Sequence, residues 1–106
     1  MIVGKLNTFT RGWIIGDFEN SLLRTKDFEI CVRVHTKGEV YPAHVHKIIT
    51  EYNVLISGHM TMCGVELHSG DTFIVEPNEV ADPIFHEDCT IVCVKVPSIP
   101  NDKFNI

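Results

Sequence analysis

The stretch GEVYPAHVHKIITEYNVLISG, from Gly38 to Gly58, sets two histidines and a glutamate in a segment that otherwise reads as buried sheet. Residues two apart in a β-strand point to the same face, so His44 and His46 project together. Glu51 opens the following strand, which can return antiparallel beside the first. Two imidazoles and a carboxylate that converge in this way form a ligand set for Zn²⁺, Mn²⁺, Fe²⁺ or Ni²⁺. The stretch is therefore compatible with a metal site built on a sheet, and the alternative is a pair of surface histidines near the end of a hairpin.

The rest of the chain reads as short strands separated by turn residues, with few helix signals. FEICVRVH alternates and places Phe28, Ile30, Val32 and Val34 on one face. Glycines at positions 58, 64 and 70 lie at regular intervals, which indicates tight hairpins between short strands. About eight to ten short strands predict an all-β jelly roll or small closed barrel, because closure hides the sheet edges.

The composition fits one globular domain over residues 1–106. The chain is 44% hydrophobic and 22% charged, with a net charge of −5, and it contains no cluster of lysine or arginine. Nucleic acid and anionic membrane surfaces are therefore poor partners. The N-terminus lacks the pattern of a signal peptide, and no apolar run approaches the ~20 residues that span a bilayer. These features predict a cytoplasmic protein whose four cysteines are free thiols.

The spacing of the polar stretch resembles the first signature motif of the cupin family. All five fixed positions of that motif are present, namely Gly38, His44, His46, Glu51 and Gly58. The resemblance implies a single-domain, cupin-type jelly-roll barrel, the double-stranded β-helix, with a divalent metal ion inside the barrel. It also implies a small-molecule ligand or substrate.

The second cupin motif is only partly present. Gly70 and Pro77 match it, with one extra residue before the proline, but Glu79 replaces a glycine and Asp82 stands where the family has its fourth metal-binding histidine. The two motifs together span residues 38–82. The metal ligands that the resemblance implies are His44, His46, Glu51 and Asp82. This set is harder than three histidines with one glutamate, and it favours Mn²⁺, Fe²⁺ or Zn²⁺ over Cu⁺.

His86 is the alternative fourth ligand. Positions 82, 84 and 86 share a face if their strand is unbroken, although Pro83 interrupts the hydrogen-bond ladder of such a strand. Both alternatives stay open at the level of the sequence.

The predicted partner and function are inferred from the outward face of the Glu51 strand and from the metal ligands. Tyr52, Val54 and Ile56 face away from Glu51, and an apolar exterior on that sheet predicts a homodimer formed by sheet packing, which is common among cupins. The first hypothesis is a metal-dependent cupin that acts on a small molecule, such as an oxygenase or isomerase, and the ligands do not distinguish between these reactions. The alternatives are a non-catalytic module that binds a small ligand and a metal-independent isomerase or epimerase of sugar nucleotides. No acid or base for catalysis is identified beyond the metal ligands.

Overall fold

The computed structural model describes all 106 residues and consists almost entirely of short strands. Two 3₁₀ turns, Leu6–Thr8 and Thr10–Gly12, precede the first strand. The eleven strands are β1 (Trp13–Gly16), β2 (Leu23–Arg24), β3 (Glu29–His35), β4 (His44–Val45), β5 (Thr50–Ser57), β6 (His59–Met62), β7 (Val65–His68), β8 (Thr72–Val75), β9 (Ile84–Phe85), β10 (Cys89–Val96) and β11 (Phe104–Asn105). The predicted all-β class is confirmed. No helix has the length and apolar character needed to cross a membrane.

Three sheets make up the molecule. The main sheet has six strands in the order β2-β1-β3-β10-β5-β8, and β10 pairs antiparallel with both β3 and β5. A second sheet has the order β7-β6-β9, and a third pairs β11 with β4. The β6–β7 hairpin turns through Cys63 and Gly64, whose positive φ angles of 51° and 74° suit a two-residue hairpin loop.

The core lies between the main sheet and the three-stranded sheet, because both contribute buried side chains to one cluster. Its members are Cys31, Leu55, Met60, Leu67, Phe85, Cys89, Ile91 and Cys93. All four cysteines of the chain are free thiols, and three of them are buried.

The alternation of β3 has the opposite sense from an ordinary half-buried strand. Its apolar face, which includes Val34 at 62% exposure, points outward, whereas Cys31 and His35 are buried. Strand β5 shows the same inversion, since the polar Asn53 is buried and the flanking Tyr52 is 47% exposed. The main sheet thus turns several polar side chains inward and much of its apolar surface outward.

Two glycines bound the segment that carries the histidines, and each has a backbone conformation that favours glycine. Gly38 has a φ of 73° and Gly58 a φ of 113°. A Cβ atom at Gly58 would also lie 2.5 Å from the backbone oxygen of Asp88, just before β10. Larger residues at Gly58 would therefore clash with the neighbouring strand.

The C-terminal tail holds the turn between β4 and β5. The buried carboxylate of Asp102 accepts hydrogen bonds from the backbone N–H groups of Lys47, Ile48 and Ile49, at 3.0, 2.9 and 2.8 Å. Burial alone would raise the pKa of Asp102, but these three hydrogen bonds lower it below its ordinary value. One carboxylate from the tail therefore organises the turn that follows the histidines.

We expect Asp102→Asn to lower the free energy of unfolding at neutral pH by about 2 kcal/mol, because an amide cannot accept all three hydrogen bonds. The pKa of Asp102 is lower in the folded state, so its contribution is complete above the unfolded-state value of 3.8 and is lost as the pH falls through the folded-state value. Urea denaturation of both proteins from neutral pH to pH values below 3.8 measures this difference. Asp27→Asn, at an exposed position, is the control. A difference that is absent at neutral pH, or that grows on acidification, would contradict the assignment.

Candidate metal centre and its cavity

The structure brings His44, His46 and Glu51 together. Each offers one ligand atom, and these atoms lie within 4.8 Å of one another. His44 begins β4, His46 follows it directly, and Glu51 is the second residue of β5. Both histidines are buried and the glutamate is half-buried. The three groups form a compact cluster between two strands that the tail holds in place.

Backbone carbonyls determine which nitrogen of each imidazole carries the hydrogen. Nδ1 of His44 lies 3.1 Å from the carbonyl oxygen of Pro42, and Nδ1 of His46 contacts the carbonyl oxygen of Asp102. Because a carbonyl oxygen only accepts, each Nδ1–H is the donor. A neutral ring then has its lone pair on Nε2, the form that binds a metal. Burial lowers the pKa of His44, which favours its neutral form.

The contact between His46 and Glu51 is favourable when a positive charge lies on the ring or between the two side chains. Nε2 of His46 lies 2.7 Å from Oε2 of Glu51, but this buried nitrogen has no hydrogen-bond partner in a suitable direction. When Nε2 carries a lone pair, two electron-rich atoms face each other there, and either a proton on the ring or a metal ion relieves the repulsion. The residues present therefore fit a divalent cation.

Glu51 is held in its ionised form. Burial alone would raise the pKa of Glu51, but the adjacent His46 ring and the charge of Lys95 hold it at about 2. The thiol of Cys93 donates a hydrogen bond to the other carboxylate oxygen, Oε1, at 3.4 Å. Burial raises the pKa of Cys93, so this thiol stays protonated and remains a donor. Cys93 thus positions the carboxylate, a role that its sequence context did not indicate.

Asp82 does not join this cluster. Its side chain is exposed, and its Oδ1 accepts a hydrogen bond from the backbone N–H of Cys63 at 2.9 Å. The preceding residue, Ala81, pairs with His44 in an isolated bridge and is buried against the cavity. Because side chains alternate in extended backbone, an inward Ala81 turns Asp82 outward. The structure gives Asp82 no support as a fourth ligand.

The alternative ligand, His86, also lies elsewhere. It is exposed, and its Nε2 is 2.7 Å from the hydroxyl oxygen of Thr61. The cluster of three is therefore the ligand group that this part of the structure contains.

A second group of possible ligands occupies the outer face of the three-stranded sheet. His59 and His68 are cross-strand partners whose rings stack with centroids 4.6 Å apart. Nε2 of His59 lies 3.4 Å from Oε1 of Glu66. One ligand atom from each of these residues lies within 4.8 Å of the others. A metal-binding experiment must therefore separate this outer cluster (His59, Glu66 and His68) from the inner one.

A cavity of about 80 Å³ adjoins the inner cluster, with His44 and Glu51 in its wall. Two cations, Arg33 and Lys95, also line it. Its other large side chains are mainly apolar or aromatic, among them Trp13, Tyr41, Met62, Phe73 and Phe85. The site thus combines a group of metal ligands with a small adjoining cavity.

Comparison with known proteins finds the same architecture in solved structures. No protein-family model matches the chain, and no curated protein matches it. A conserved protein with a double-stranded β-helix domain from Klebsiella pneumoniae is 26% identical, with a TM-score of 0.63 over 76% of this chain and 75% of that one. A cupin protein from Bacteroides fragilis is 22% identical, with a TM-score of 0.57 over 72% and 70% of the two chains. A bacterial pirin from Escherichia coli, solved in complex with nickel(II), is 16% identical, with a TM-score of 0.68 over 82% and 39%.

These similarities agree with the sheet order and with the motif in the sequence. The fixed glycines, histidines and glutamate occupy the strands and turns described above, and the neighbours share their double-stranded β-helix. The chain therefore has the double-stranded β-helix fold that its resemblance to the cupins implies.

Proposed function

We propose that this protein binds a divalent metal ion through His44, His46 and Glu51 and binds or transforms a small molecule in the adjacent cavity. The observation that carries the proposal is the pair of Nδ1–H groups held by backbone carbonyls, which leaves both Nε2 atoms available beside an ionised carboxylate. The structurally similar pirin was solved with nickel(II), which supports a divalent ion in this fold.

Two histidines and one carboxylate leave open positions on Mn²⁺, Fe²⁺, Zn²⁺ or Ni²⁺, and such an ion supplies Lewis-acid chemistry to a molecule bound there. The protein's own residues orient the three proposed ligand groups. The carbonyls of Pro42 and Asp102 orient the rings, and Cys93 orients the carboxylate of Glu51. Most residues that line the cavity are hydrophobic, and this lowers the local dielectric and strengthens electrostatic interactions there.

Metal stoichiometry tests the proposal. After chelation and reconstitution with Zn²⁺, Mn²⁺, Ni²⁺ or anaerobic Fe²⁺, the unaltered protein should keep about one tightly bound ion per chain, measured by elemental analysis and calorimetry. His44→Ala with His46→Ala should abolish that binding, because it removes two of three ligands. His59→Ala with His68→Ala is the matched control, since it removes two histidines of the outer cluster and should leave the tight ion bound. Loss of binding in the control alone would defeat the proposal, and so would the absence of tight metal in the unaltered protein.

Asp82 receives a separate test, because the family pattern and the structure disagree on it. We expect Asp82→Ala to leave the metal content and the metal dissociation constant unchanged, because its carboxylate bonds to the backbone of Cys63 outside the cluster. Isothermal titration with the same metal checks this. A rise of about tenfold or more in the dissociation constant would return Asp82 to the ligand set.

We also propose that the protein forms a homodimer through the outward face of the main sheet. Exposed apolar side chains from three strands share this face: Val34 is 62% exposed, Tyr52 47%, Ile56 52% and Ile74 56%. A contiguous apolar surface of this kind is costly in water and is typical of a protein interface. A second copy suits it because a two-fold axis pairs the same flat, apolar face with itself.

The dimer is tested by light scattering coupled to size-exclusion chromatography. The unaltered protein should have about twice the chain mass of 12.0 kDa. Ile56→Glu with Ile74→Glu should shift it to the monomer, because burying two new carboxylates in the interface is unfavourable. Val65→Glu, at an equally exposed apolar position on β7, should leave the dimer intact. A monomeric unaltered protein would refute this interface.

A further inference from the structure

Two cations in the wall of the cavity form no salt bridge. Arg33 and Lys95 are half-buried on β3 and β10, and no carboxylate oxygen lies within 4.0 Å of either one. Glu51 is the single acidic residue among those lining the cavity. Cations in such a setting gain from an anion that reaches them, because the surrounding low dielectric strengthens the attraction.

Aromatic rings hold both cations without using their hydrogen-bonding groups. The guanidinium carbon of Arg33 lies 5.9 Å from the centroid of the Tyr41 ring. Nζ of Lys95 lies 4.7 Å from the centroid of the Trp13 ring. Cation–π contacts of this kind position a charge, while its N–H groups remain free to donate. The two side chains therefore present unused donors at the cavity.

A third donor lies on the same wall. Asn53 is 8% exposed, lines the cavity and has a buried Nδ2 without a hydrogen-bond partner. A buried amide donor without a partner is unfavourable, and native proteins rarely leave one unless a ligand or water satisfies it. An acceptor bound in the cavity would remove this cost.

The charges of the side chains in the cavity wall indicate which kind of hydrogen-bond acceptor the cavity favours. The whole chain has a net charge of −5, yet the cavity wall contains two cations and one carboxylate. A divalent ion at the inner cluster would add two further positive charges. A neutral guest would leave this excess uncompensated and a cationic guest would increase it, so the electrostatics favour an anion.

We infer that the cavity binds a small organic carboxylate, with Arg33 and Lys95 as its anion-binding groups and Asn53 as an additional donor. The planar fork of an arginine pairs with a carboxylate in a bidentate manner. Two cations beside one carboxylate leave a single positive charge in the metal-free wall, which one carboxylate group neutralises. The inference deepens the proposed function and rests on it for the added charge of the metal. The two cations and the amide are independent of metal.

The test compares acids with their uncharged analogues. Acetate and succinate are titrated against acetamide and succinamide by calorimetry, with protein freed of metal by chelation and with the same protein loaded with Zn²⁺. We expect each acid to bind at least about tenfold more tightly than its amide in both forms, because charge-assisted hydrogen bonds are lost with the amide. Arg33→Met and Lys95→Met should each remove most of that preference, and Arg33→Lys should restore part of it. Lys37→Met, at an exposed position, is the control and should change nothing.

The outcomes separate this inference from the metal proposal. Acids and amides that bind equally to the unaltered protein would overturn the inference, and this comparison holds even if a variant fails to fold. Inorganic phosphate that binds more tightly than both acids would overturn the carboxylate class. Carboxylate preference without metal binding would support the inference and defeat the metal proposal, whereas normal metal binding without that preference would do the reverse.

Discussion

Asp102 connects the C-terminal tail to the metal-ligand segment through two different groups. Its carboxylate accepts the backbone hydrogen bonds of the turn after β4, and its carbonyl oxygen accepts the Nδ1–H of His46. The first interaction fixes where the chain turns back towards Glu51, and the second fixes which imidazole nitrogen faces that carboxylate. The stability of the turn and the chemistry of the site therefore depend on the same residue, although it lies more than fifty positions away in the sequence.

The inner site keeps polar atoms without partners that an ordinary core would satisfy. Nε2 of His46 and Nδ2 of Asn53 are both buried without a hydrogen bond, and Nε2 of His59 in the outer cluster is a third such atom. Buried polar groups of this kind are destabilising, and they persist where the surrounding fold over-determines their position. Here the carbonyls, the thiol of Cys93 and the paired strands provide that constraint. These constraints hold the side chains in the positions that the proposed metal ion and carboxylate require.

Local periodicity accounts for the part of this structure that the sequence predicts. Alternation puts His44 and His46 on one face, and glycines mark the turns, because both effects act over a few residues. The position of Asp82 outside the cluster does not follow from local periodicity, because its direction depends on the pairing of Ala81 with His44, and a shift of one residue reverses a face. The sequence does not indicate the role of Asp102 for a similar reason. The residues that the C-terminal tail contacts depend on the fold of the whole chain.

The same inversion of the main sheet explains both the cavity and the outer surface. In an ordinary half-buried sheet the apolar side faces the core, so the alternation in β3 would send Val32 and Val34 inward and Arg33 outward. Here the inward positions include Arg33, which lines the cavity. The apolar residues are thereby turned to the outside, where only another protein surface removes them from water. The polar side chains in the cavity and the apolar exterior of the main sheet therefore have the same cause, namely which side of each strand faces inward.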